Sequence, residues 1–198
     1  MIAALHAAVL FACWRCPTPP RIHRYIGAKL WWHVARWAVR AAFGFHSREY
    51  RWAFVASFLW IFVVSLDLVW EYVSPIHYKV RRLIWPLAFA FALFLSGRIL
   101  ISHERYDKAV LLDGALAILL AIPMCIAAVT REGRAGAVAA VLGFTWLIEA
   151  GSQLGFSIHL PAGLWSEPNI WLPVAIACIG SIALARAAST KAWSRTDF

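Results

Sequence analysis

Five apolar stretches of about twenty residues each dominate this chain, at 53–73, 83–101, 110–129, 136–156 and 170–188. A helix needs about 20 mostly apolar residues to cross the hydrocarbon core of a bilayer, so each stretch is expected to be one spanning helix. Short polar connections separate them, such as 102–108 (SHERYDK) and 131–134 (REGR). A transmembrane barrel would instead show segments of roughly ten residues with alternating polarity. The expected fold is therefore all-α, a multi-pass transmembrane helical bundle.

Composition supports this. Of 198 residues, 62% are hydrophobic and only 15% are charged. A soluble domain carries about 25% charged residues because water must wet its surface. The chain divides into a juxtamembrane region at 1–52, the bundle at 53–188 and a polar tail at 189–198. Several of its twelve tryptophans stand at segment ends, namely Trp52, Trp70, Trp85, Trp165 and Trp171. Indole rings favour the headgroup level, so an aromatic belt accounts for them.

A net charge of +9 raises the question of nucleic acid. Eight of the nineteen Lys and Arg lie between Arg15 and Arg51, ahead of the first long apolar run. That placement suits anionic lipid, and no nucleic-acid-binding motif accompanies it. Membrane lipids are the expected partner, and nucleic acid is not.

Residues 1–13 lack the basic start of a signal peptide and read as a short uncleaved helix at the interface or on the bundle. Cys13 and Cys16 form a C-x-x-C pair, a spacing able to bind metal or exchange disulfides. No second pair completes a four-ligand zinc site, and Pro17 stands where haem attachment needs His. His6 and His23 complete a site only on paper. No metal or cofactor is expected.

The clearest local pattern is at 29–45 (KLWWHVARWAVRAAFGF). Lys29, His33, Arg36 and Arg40 recur every three or four residues, making one basic stripe on an otherwise apolar helix. The expected role is a basic amphipathic helix lying in the membrane plane, with these four residues against anionic headgroups. Crossing the bilayer would bury two central arginines, at high cost unless they met carboxylates. The positive-inside rule pulls the other way. Lys79, Arg81, Arg82, Arg131, Arg134, Arg186, Lys191 and Arg195 fall on one side, and they agree with the N-terminal cluster only if 29–45 crosses. Five spans become six in that case.

Function in such a bundle is expected in the ionisable groups inside the spans, since each is expensive to keep there. Asp67 and Glu71 are near one end of the first span and are expected to reach water. Arg98 and Asp113 fall at similar depth on one side, placed to pair. Glu149 and Gln153, one helical turn apart, return to that side, where His103 and His159 flank the connections. Glu149 has no cation in its own span. An Arg98–His103 spacing matching an RNA-cleaving motif is too common to carry weight, and the spans lack the arginine run of a voltage sensor.

Glu149, Gln153, Asp113 and Arg98 are thus the expected ion- or proton-binding residues. The expected protein is a small component of a homo-oligomer or larger complex in a bacterial inner membrane, of transport or channel type and without catalysis. Two alternatives are a non-catalytic accessory subunit and an intramembrane enzyme acting on a lipid or quinone.

Overall fold

The computed structural model describes residues 2–44, 47–73, 106–157 and 171–189, together with Pro86 and Ala90. The expected span 83–101 otherwise lies outside the described residues, and so does Arg98. All regular structure among the described residues is helical: α1 (Ile2–Trp14), α2 (Pro20–Phe43), α3 (Arg48–Val73), α4 (Tyr106–Thr130), α5 (Gly133–Ser157) and α6 (Trp171–Ala188). Among the described residues, three segments are long and apolar enough to cross a membrane: Arg48–Trp70, Asp113–Thr130 and Gly133–Gln153. Ile2–Trp14 and Val174–Ala188 are apolar but shorter.

Local chemistry sets the ends. Pro20 opens α2, where a proline loses no hydrogen bond and its fixed φ suits the first turn. Gly44, at φ +87°, closes it by donating its N–H to the Arg40 carbonyl at 2.9 Å. α3 begins five residues before the apolar run, because the Ser47 hydroxyl accepts the Tyr50 N–H at 3.0 Å and caps the helix. Only two residues, Arg131 and Glu132, separate α4 from α5. Gly133 turns the chain there at φ +59°, a conformation that costs glycine nothing.

α2, α3, α4, α5 and α6 are neighbours in that order, and α6 returns to α2 to close a ring. α1 packs outside the ring against α2 and α6. α2 runs antiparallel to α3 along most of its length. Arg21 near its start meets Asp67 near the end of α3, and Arg36 lies over the Phe54 ring near the start of α3.

The ring's interior is close-packed. Leu30, Leu68, Met124 and Val138 are completely buried, from four different helices. Its outside is apolar as well: Leu119, Ile122, Ile126 and Val129 on α4, Phe144 and Leu147 on α5, and Ile179 on α6 are all exposed. Water would not stabilise such a surface, whereas acyl chains would. Two helical hydroxyls are satisfied within their own helices: Ser57 donates to the Phe54 carbonyl at 2.7 Å and Thr145 to that of Val141 at 2.7 Å.

α4 and α5 touch most closely at Gly143, where small residues let backbones approach. A Cβ built at Gly143 would stand 2.9 Å from Cys125 Sγ and 3.2 Å from the Cys125 backbone nitrogen. The sulfur can move but the backbone cannot. Gly143→Val should therefore wedge the two helices apart and cost about 1–3 kcal/mol, the range for overpacked cores. Denaturant unfolding in mild detergent checks this, and an unchanged midpoint would contradict the close approach.

Candidate functional site

α2 carries more positive charge than a helix among apolar neighbours can hold alone, and the ring answers with carboxylates. Near its start, Arg21 and Arg24 stand 3.6 and 3.9 Å from Asp67 on α3. The Asp67 side chain is only 16% exposed. This differs from the wetted position expected from sequence, because an antiparallel α2 brings two guanidiniums to it.

One turn deeper, Lys29 reaches across the ring to α5. Its Nζ stands 2.6 Å from Glu149 Oε2, with the lysine side chain 3% exposed. Tyr25, one turn earlier on α2, supports the same crossing. Its hydroxyl accepts a hydrogen bond from Trp146 Nε1 at 2.8 Å and lies 3.5 Å from Lys29 Nζ. The two rings meet edge to face, 6.0 Å between centroids. Trp146 and Glu149 sit one turn apart on α5, as Tyr25 and Lys29 do on α2, so the helices are joined by a two-rung ladder.

Beyond this ladder a partly open cavity of about 60 Å³ lies between the helices. His33 and Arg36 line it from α2, Ser65 from α3, Asp113 from α4, and Glu149, Ser152 and Gln153 from α5. Asp113 Oδ2 accepts a hydrogen bond from Gln153 Nε2 at 3.2 Å. Two nitrogens of lining residues, His33 Nδ1 and Arg36 Nε, are buried and have no hydrogen-bond partner among the described residues. Behind His33, away from the cavity, the His6 ring stacks on it at 5.0 Å with an 11° tilt. His6 Nδ1 is 3.0 Å from the Ile2 carbonyl.

Three of the four residues expected to bind an ion or proton, Asp113, Glu149 and Gln153, therefore share one cavity. Arg98, expected beside Asp113, lies outside the described residues, as do His103 and His159. The basic stripe is divided. Lys29 and His33 are buried and turned into the ring, Arg36 lines the cavity, and Arg40 is half-buried beside the Trp37 ring at 4.8 Å. The share of α2 in this site escaped the sequence reading. The signal was present in two halves, a helix with a stripe of cations and a Glu149 with none.

The C-x-x-C pair sits at the end of α1, where the helix dipole disfavours a thiolate. Burial, and then the nearby Cys16 and Cys178, push the Cys13 thiol up to about 11. All four cysteines are free, and among the described residues no cluster of three His, Cys, Asp or Glu forms that would hold a metal. Comparison with family models, curated proteins and solved structures gives no match.

Two outcomes follow from this geometry. Lys29→Met leaves Glu149 without its cation and should destabilise the fold by about 3–5 kcal/mol, the range for halving a buried pair. Adding Glu149→Gln should recover much of that loss, and strictly additive losses in thermal unfolding would show the pair is uncoupled. For the cysteines, a maleimide at neutral pH should label half-exposed Cys16 well before Cys13. Cys13 labelling should rise only as pH approaches about 11, where its thiolate forms. Equal rates at neutral pH would contradict its burial.

Proposed function

We propose that this chain is a small integral membrane protein of a bacterial inner membrane, and that its helical ring holds a site for a proton or other small ion. The observation that carries this reading is the cavity where Asp113, Glu149 and Gln153 meet Arg36 and His33 inside an apolar bundle. Ionisable groups are rarely kept at such depth without a task. The size of the cavity supports a small occupant. At about 60 Å³ it holds a few water molecules and falls well below the several hundred Å³ of pockets for lipids or quinones.

In this reading α2 crosses the bilayer with its neighbours rather than lying in the membrane plane. Its 24 residues are long enough, and it runs antiparallel beside α3. The cost of its charges is offset by Asp67 and Glu149 in direct contact and by Asp113 across the cavity. With 83–101 and α6 also crossing, the chain has six spans. Both termini and the basic connections then share the cytoplasmic side, as the positive-inside rule favours.

So few short-looped helices leave little room for a complete pathway, so the protein works within a homo-oligomer or with other membrane subunits. The exposed apolar faces of α4, α5 and α6 are available to acyl chains and to such partners. The rival reading is that the Lys29–Glu149 contact only locks helix packing in an accessory subunit, and its closed 2.6 Å geometry favours that reading. Proton and cation flux into vesicles containing the purified protein separates the two. Glu149→Gln, combined with Lys29→Met so that no buried charge is left unpaired, should abolish most of the flux while the protein stays folded. Unchanged flux would remove the carboxylate from the mechanism and leave it as packing.

A further inference from the structure

The cavity contains two carboxylates, and the structure treats them differently. Glu149 commits one oxygen to Lys29 at 2.6 Å. Asp113 meets an amide at 3.2 Å and, among the described residues, no Lys, Arg or His nitrogen lies within 4.0 Å of it. We infer that the occupant of this site is a proton rather than a metal cation, and that Asp113 carries it while the Lys29–Glu149 pair stays closed. This rests on the proposed reading of the cavity as an ion or proton site and names the ion and the residue.

Charge explains the choice. From α2, Arg36 and His33 face the cavity, and from α5 Glu149 faces it with Lys29 held against it. α3 offers the Ser65 hydroxyl and α6 only Ile176. Lys29 cancels Glu149 and Arg36 balances Asp113 across the space. Among the described residues, a metal cation entering would meet Arg36 at the lining and Lys29 behind Glu149, and no surplus negative charge, with little room for the six or so oxygens it needs. A proton needs one oxygen. It arrives as hydronium, leaves that water neutral, forms an O–H bond on Asp113 and removes a buried charge that no cation contacts among the described residues.

A second observation points to water as the carrier. His33 is only 5% exposed, yet its Nδ1 has no hydrogen-bond partner, and the buried Arg36 Nε is in the same position. Buried polar atoms of this kind are normally satisfied, and ordered water is the usual means in a polar cavity. At about 60 Å³ the cavity that His33, Arg36 and Asp113 line has space for it. The cavity is thus a wet pocket with one carboxylate able to change charge without breaking an ion pair.

Infrared difference spectroscopy of the full chain in lipid vesicles, stepped through pH in sodium and potassium chloride, tests this. The carbonyl band of a neutral carboxylic acid should appear on acidification. It should move to lower frequency in protein grown with ¹³C-aspartate and vanish in Asp113→Asn. Its midpoint should ignore the salt. A band that ignores the aspartate label, persists in Asp113→Asn or never appears would overturn the assignment. So would a midpoint that falls as sodium or potassium rises, since a metal cation would then compete for the site. Asp113→Glu keeps a carboxyl and should move the band off the aspartate label, so the test stands even if Asp113→Asn fails to fold. An aspartate band without proton flux would keep this inference and remove the transport reading. Flux that depends on Glu149 without that band would do the reverse.

Discussion

The contact between Lys29 and Glu149 joins helices far apart in sequence and closes the ring across its middle. Two charges withdrawn from water are expensive, and their attraction offsets that cost only with good geometry and further hydrogen bonds. Here the geometry is close, and the second rung from Trp146 to the Tyr25 hydroxyl holds the backbones in register. With α2 fixed against α5, His33 and Arg36 face Asp113 and Gln153 across a gap. The cavity exists because α2 and α5 are held by side chains that reach across rather than by interdigitating ridges.

The α4–α5 hairpin gives that gap a firm wall. A two-residue turn and the approach at Gly143 keep the two helices together, so Asp113 and Gln153 stay opposite each other near the hairpin's open end. α3 is anchored differently, by Asp67 under two arginines of α2. Charge pairs therefore position α2, while small residues and apolar packing position the rest. The polar cavity lies in the charge-paired part.

Helices were the most legible part of the sequence, since apolar runs of spanning length admit few other structures. Their starts were less so. α3 begins at Arg48 because one hydroxyl, Ser47, caps it, a local detail that hydropathy does not register. Asp113, Glu149 and Gln153 could be grouped from alternating span direction and helical spacing, and they share a cavity. The direction in which α2 faces was not legible. A basic stripe looks the same whether it meets lipid phosphates or protein carboxylates, and the partner that decides it, Glu149, lies 120 residues further along the chain. Tyr25 and Trp146 were hidden for a related reason, as aromatic residues in an apolar helix carry no mark of a hydrogen bond made across the bundle.

That separation bears on how the protein is made. Lys29 leaves the ribosome 120 residues before Glu149, and Arg21 leaves it 46 residues before Asp67 (67 − 21). In the reading proposed above, where α2 crosses the bilayer, it lacks those counter-charges until the carboxylates are synthesised and would sit poorly in hydrocarbon. A nascent chain would park it at the lipid surface or inside the insertion machinery, docking its first half when α3 arrives and its middle only when α5 does. Biogenesis would then pass through a late committed step, and a ribosome stalled between α4 and α5 would leave an inserted hairpin-less intermediate with its basic helix still undocked.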